Sequence, residues 1–187
     1  MHHIEYACTL VNWDLRHALE FGVGSGRTIA MIRSGLPDVE VFGFDSFEGL
    51  PEDWRDASGN IVGGQRKGAF STGGVIPSVP GVHFFKGLFE ETLPEYLKIG
   101  KRIALLHIDC DLYSSTQVVL RELNDLIVPG TIILFDEWCY LNDPRNNDHE
   151  QRAFHEWVFH NGRLTELVPF QSDTVNGDER QIVRVIK

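Results

Sequence analysis

Along the chain, short apolar runs alternate with segments whose apolar positions recur every three or four residues. The runs at 18–23, 39–44, 82–85, 103–108 and 131–135 are rich in β-branched and aromatic residues and poor in charge, which predicts strands covered on both faces. Between them the spacing predicts a short helix over 28–34. A second helix is expected through Phe89, Leu93, Tyr96 and Leu97, and a third through Val119, Leu120, Leu123, Leu126 and Ile127. Ser114 to Thr116 offer caps for the third, and Pro129-Gly130 stops it. A further helix is predicted over 150–160, closed by Asn161-Gly162. Two last runs, 164–170 and 181–186, are expected to pair as a hairpin through a polar turn that includes Asp178, so one strand of the sheet should run antiparallel.

Strand alternating with helix implies right-handed crossovers and a doubly wound, mostly parallel α/β sheet. At 187 residues the chain is expected to form one domain, 1–187, with a short segment, 1–17, ahead of the first strand. One stretch breaks the rhythm. Residues 46–81 hold eight of the 18 glycines, too many for a strand or helix, and are expected to form a mobile, lid-like insertion near the site. Trp54 and Phe70 within it would pack on something.

Composition narrows the classes. A formal net charge of -10 argues against a nucleic-acid partner. No apolar run is long enough to span a bilayer, so no membrane partner is expected. Three cysteines, Cys8, Cys110 and Cys139, fall in no CxxC spacing, which suits a reducing, cytoplasmic setting and offers no zinc motif. His2 and His3 read as a flexible terminal pair rather than a metal clamp.

In doubly wound sheets, ligands bind at the carboxyl ends of the strands. Those ends here are Gly22 to Gly26, Asp45, Gly87, Asp109 and Asp136-Glu137, nearly all glycine or acid. The first carries Gly22-x-Gly24, but Arg27 stands where a dinucleotide fingerprint has its third glycine, which falls at Gly26 instead. Glu20, two residues ahead, would repel a pyrophosphate and is expected either to order the loop or to attract an ammonium. Asp45 follows Gly26 by 19 residues, where an acid can accept both ribose hydroxyls. A ribose and an amino-acid moiety without phosphate describe S-adenosylmethionine.

The stretches "LEFGVGSGRT", "GFDSFEGLPEDW", "KGLFEETLP" and "LLHIDCDLYSST", with "PGTIILFDEW" beyond, resemble the class I S-adenosylmethionine-dependent methyltransferases. More narrowly they are similar to the macrocin-O-methyltransferase type, which modifies sugars of secondary metabolites. The resemblance covers about residues 18–154. It implies a Rossmann-like, seven-strand sheet, S-adenosylmethionine and often Mg²⁺. By that resemblance Glu20, Gly22, Gly24 and Gly26 line the methionine end, and Asp45 takes the ribose with Ser46 beside it. Gly87, Leu88 and Phe89 border the adenine, and Phe70 and Ser71 close over the cofactor.

Asp109, Asp136 and Glu137 close adjacent strands, which lie about 4.8 Å apart in a sheet. Carboxylates so gathered repel unless a cation or proton intervenes, and an all-oxygen set selects a hard ion, Mg²⁺ or Ca²⁺. The family assigns a metal to the same positions, with aspartate common where Glu137 stands. Asp111 is expected to cap the helix that begins near Ser114. His149 is the candidate general base, and His107 reads as a core histidine.

These residues point to a cation-assisted O-methyltransferase acting on a hydroxyl of a small molecule, with Asp109 and His149 as catalytic groups. A non-catalytic cofactor-binding protein of the same fold stays open, as does a dinucleotide-dependent oxidoreductase. The short segment before the first strand would leave the substrate side to the 46–81 insertion or to a second subunit, which suits a homodimer.

Overall fold

The structure, a computed structural model, describes residues 1–139, 149–170 and 180–187. The order of elements is α1 (His3–Thr9), β1 (His17–Phe21), α2 (Arg27–Gly35), β2 (Glu40–Asp45), β3 (Val82–Lys86), α3 (Phe89–Leu97), β4 (Ile103–Ile108), α4 (Tyr113–Glu122), β5 (Ile132–Phe135), α5 (Glu150–Asn161), β6 (Thr165–Val168) and β7 (Gln181–Val185). The strands form a seven-stranded sheet in the order β3-β2-β1-β4-β5-β7-β6. β1 to β5 pair in parallel, while β7 runs antiparallel to both β5 and β6. This is the mostly parallel, class I methyltransferase-like sheet that the alternation predicts. The hairpin turn expected through Asp178 lies outside the described residues.

The central apolar runs become strands because both faces are covered, whereas β3, expected to be covered likewise, is an edge strand with no fully buried residue. All six residues of β4 and all five of β1 are buried. One core, on the α3, α4 and α5 face, gathers Leu19, Phe42, Phe44, Tyr96, Leu106 and Phe154; the other, beneath α1 and α2, gathers Ile4, Ile29, Ile32, Leu105, Ile132 and Leu134. Gly26 starts α2 with φ 83° and Gly162 closes α5 with φ 57°, left-handed conformations in which a Cβ would be strained.

Chain reversal at the sheet centre sets the site. β1 and β4 are neighbours, and from them the chain winds outward in opposite directions. The crevice at the carboxyl ends of these two strands is therefore the one place where loops part rather than crowd.

Two expectations need correction. The segment ahead of β1 is not loose. His2 Nδ1 accepts the Ile4 N–H and Glu5 returns a carboxylate to the His2 N–H at 3.0 Å, a capping box that starts α1. Ile4, Ala7 and Cys8 then bury against the sheet and α2. Nor is Asp111 a helix cap: α4 begins after Leu112, with no side-chain cap hydrogen bond.

The 46–81 segment is folded onto the domain. Trp54 is fully buried with Leu50, Val62 and Leu112, and Leu50, Trp54 and Val62 are tied into the turns by backbone bonds near 3 Å. Among the described residues no helix is long and apolar enough to cross a membrane.

At the opposite end of the sheet, His17 is buried beside Tyr96, with Nδ1 2.8 Å from the phenol oxygen and accepting the Lys101 N–H. Burial lowers its pKa from the ordinary 6.5, and burial takes His3 down to about 4. The unfolded chain therefore takes up protons near pH 6.5 that the folded chain refuses, so this stability is present above 6.5 and lost as pH falls. The gap in thermal midpoint between the native chain and His17→Asn should narrow as pH falls below 6.5. Truncating the loop anchor, Trp54→Ala, should cost about 3 kcal/mol; limited proteolysis should then cut faster within 46–81 than in the native chain.

Candidate active site

A cavity of about 720 Å³ opens at the carboxyl ends of β1, β2, β4 and β5. The glycine turn forms one wall. Gly22 has φ 91°, donates its N–H to the Phe44 carbonyl at 3.0 Å, and lies so close to β4 that a Cβ would sit 1.7 Å from the Asp109 carbonyl oxygen. Gly24, φ 50°, donates to Asp45 Oδ2 at 2.7 Å and would place a Cβ in open space. Asp45 accepts the Phe47 N–H on its other oxygen, also at 2.7 Å. One carboxylate thus joins the glycine turn to the start of the 46–81 segment.

The other wall is apolar. Gly87, Leu88 and Phe89 line it at the end of β3, and Phe70 reaches it from the 46–81 segment with φ 65°. Phe70 is 55% exposed and Leu88 42%, so both present apolar surface at the mouth. Ser46 also lines the cavity, its hydroxyl bonded to the Gly49 carbonyl.

Four expected site residues do not line the cavity. Glu20 is fully buried beneath it: Oε1 accepts the Thr28 hydroxyl and faces His107 Nδ1 at 3.2 Å. It braces the glycine turn from below, the loop-ordering alternative of the two expected for it. Gly26 packs on Pro77, with a Cβ 2.7 Å from that ring, and Ser71 turns its hydroxyl to the Phe47 carbonyl at 3.3 Å. His149 is also absent from the lining. It is buried at the start of α5, edge-on to Trp54 with ring centroids 5.5 Å apart, which does not suit the base expected of it.

The acids do converge. Carboxylate oxygens of Asp109, Asp136 and Glu137 all lie within 4.8 Å of one another, and Asp111, φ 63°, lines the same floor. The register explains this: the backbone N–H of Asp109 bonds the last carbonyl of β1 at 2.9 Å, and that of Asp136 bonds the last carbonyl of β4 at 3.0 Å. Burial, then the charge of Asp136, pushes Asp109 well above the carboxylate range. Burial, then Asp109, does the same to Glu137, and burial lifts Asp111 to about 7.

Asp136 behaves differently. Burial would raise it, but cationic partners hold it well below its ordinary value. Arg180 grips it with a two-pronged fork, Nε to Oδ1 at 2.6 Å and Nη2 to Oδ2 at 2.9 Å. His3 Nε2 lies 3.4 Å and His107 Nε2 3.8 Å from Oδ1. His107, wedged between Asp136 and Glu20, rises to about 10, because the two acids overcome the burial that would lower it. It is a core histidine as expected, but an ionic one.

Sequence reasoning missed His3, Arg180 and Glu150. The His2-to-Glu5 spacing could have marked α1 and so His3. Arg180 follows a polar stretch with no periodicity. Glu150 is fully buried at the start of α5 and accepts the Glu137 N–H at 3.0 Å, a role that only the meeting of β5 and α5 reveals.

The family model for macrocin-O-methyltransferase (TylF) matches residues 17–158, which hold every one of these cavity-wall glycines and floor acids. The chain belongs to the macrocin-O-methyltransferase family. It is a methyltransferase on the fold its sheet announces. Solved structures agree on that fold. The calicheamicin methyltransferase CalS11 superimposes with a TM-score of 0.70 at 22% identity, covering 96% of this chain and 75% of that one. The O-methyltransferase NovP gives 0.67 at 19% identity, covering 98% and 78%. TomG of Streptomyces achromogenes, an O-methyltransferase involved in tomaymycin synthesis and solved with SAM, gives 0.61 at 16% identity, covering 98% and 79%. No curated protein matches the sequence significantly.

The tightest steric constraint in this methyltransferase is Gly22. Gly22→Ala would drive a methyl into a backbone carbonyl that cannot rotate away. We expect a loss of about 3 kcal/mol or more, read as a drop in thermal midpoint, because both the positive φ and the overlap are penalised. Gly24→Ala, with open space around it, should cost much less stability.

Proposed function

We propose that the chain transfers a methyl group from S-adenosylmethionine to a hydroxyl of a small molecule, a sugar or another secondary-metabolite group, with help from a divalent cation. The observation that carries this reading is the two-sided cavity. A glycine turn and Asp45 stand on one side of it, and three carboxylates converge on the other. Family membership supports the choice of methyl donor, as does the likeness in fold to TomG, which was solved with SAM.

The donor's shape suits the walls. Gly22 and Gly24 lack side chains, so the turn's backbone can come close to the methionine part. Asp45 retains acceptor capacity beyond its two backbone bonds and is the group for the ribose hydroxyls. Leu88, Phe89 and Phe70 offer apolar surface for the adenine and keep water from the reacting centre. When bound, S-adenosylmethionine supplies an electrophilic methyl on a positively charged sulfur, and the acidic floor favours that charge.

A hard cation fits the floor. The donors are all carboxylate oxygens, and Glu137 Oε2 is buried without a hydrogen-bond partner among the described residues. Asp109, Asp136 and Glu137 would hold the ion, which supplies Lewis acidity that lowers the pKa of a nearby hydroxyl. The protein's own part is to hold acceptor oxygen and methyl carbon in line at about 3 Å. Asp109, at the centre of the sheet, faces both the glycine turn and the acid floor.

Calorimetry should detect S-adenosylmethionine binding and no comparable NAD binding; tight NAD binding alone would overturn the reading. In a methyl-transfer screen over hydroxylated acceptors, EDTA should suppress turnover and Mg²⁺ restore it. Asp109→Asn should cut kcat roughly a hundred-fold, as removal of a charge-stabilising group commonly does. Turnover indifferent to EDTA and to Asp136→Ala would remove the cation from the mechanism while leaving the donor.

A further inference from the structure

Of the three acids that converge on the floor, only Asp136 has a protein cation among the described residues. Arg180 occupies both of its oxygens, at 2.6 and 2.9 Å, and His3 and His107 crowd Oδ1 from two further directions. Glu137 shows the opposite condition, with Oε2 buried and without a hydrogen-bond partner among the described residues. A hard divalent ion needs a lone pair from each ligand at about 2.1 Å in near-octahedral array. Oδ1 already accepts the Arg180 Nε–H at 2.6 Å and has imidazoles at 3.4 and 3.8 Å, so an ion on it must share or displace the guanidinium. A guanidinium hydrogen-bonded to an oxygen would also stand close to any dication on that oxygen, in a partly buried site where screening is weak. Arg180 has somewhere to go, since its side chain is 22% exposed and lines the cavity.

We propose that Arg180 and the divalent cation are alternative counter-charges for Asp136: the guanidinium closes on the carboxylate when the ion is absent and must leave it when the ion binds. This rests on the reading of Asp109, Asp136 and Glu137 as a cation site. It makes Arg180 a positioning residue that holds Asp136 in place beside the other acids without an ion, at the expense of ion affinity.

Mn²⁺ alone is the probe, titrated into the full chain and followed by calorimetry and by the electron-paramagnetic signal of the free ion. Arg180→Gln removes the fork and the charge, and should bind Mn²⁺ about ten- to a hundred-fold more tightly than the parent, the range expected for losing a competing charged hydrogen bond. Adding Asp136→Asn to Arg180→Gln should abolish that gain. Arg180→Lys, which keeps a charge but not the fork, should fall between. In EDTA, Arg180→Gln should melt below the parent, and Mn²⁺ should raise its midpoint more than the parent's. If Arg180→Gln does not fold with or without Mn²⁺, Arg180→Lys decides: tighter binding than the parent supports competition, and equal or weaker binding overturns it. Measurable binding by the parent with equal or weaker binding by Arg180→Gln overturns the competition and leaves the cation site standing. No binding by parent or variants overturns both.

Discussion

Buried negative charge must be balanced, and in this domain the sheet itself creates the problem. A parallel sheet brings the carboxyl ends of β1, β4 and β5 to one edge, and the chain puts Asp109, Asp136 and Glu137 there, with Glu20 beneath and Asp111 and Glu150 alongside. In a poorly solvated volume such groups either take up protons or acquire cations. The chain does both. Asp109, Asp111, Glu137 and Glu150 shift upward, while Asp136 is held ionised by the cations Arg180 and His107, with His3, itself lowered to about 4, beside it.

That balance ties distant parts of the sequence together. His3 comes from α1, Glu20 and His107 from the central strands, and Arg180 from the residue ahead of β7. Glu20 joins the balance to the glycine turn through Thr28, whose hydroxyl it accepts. Asp45 then links the glycine turn to the 46–81 segment through Gly24 and Phe47. The cavity is therefore shaped by charge compensation below and by backbone hydrogen bonds at the rim. Its apolar lip, Phe70 and Leu88, is exposed at the mouth.

Much of this was legible along the chain. The strand runs, the glycine turn and the acids at strand ends followed from local pattern and from the rule that ligands gather where parallel strands end. Those inferences work because burial on both faces and a tight turn leave marks within a few residues. The departures from expectation share a physical origin. Glu20 and Gly26 were assigned by their nearness to the turn in sequence, but strand pleat and turn geometry send one side chain beneath the cavity and leave the other position against Pro77. His149 looked polar by its neighbours and is buried by its fold. His3 looked terminal and lies within ion-pair distance of Asp136.

By itself, then, the order of residues determined the fold class, the strand boundaries and those of α2, α3 and α5 to within a few positions, and the two kinds of chemistry at the strand ends, but not α1 or the end of α4. These are local properties: periodicity, turn preference and residue type. Tertiary structure alone decided which acids receive a positive partner and which do not. Arg180 and Asp136 are 44 positions apart and meet only because β7 returns antiparallel beside β5. Charge balance in a buried site depends on distance in space, and no pattern along the chain records that distance.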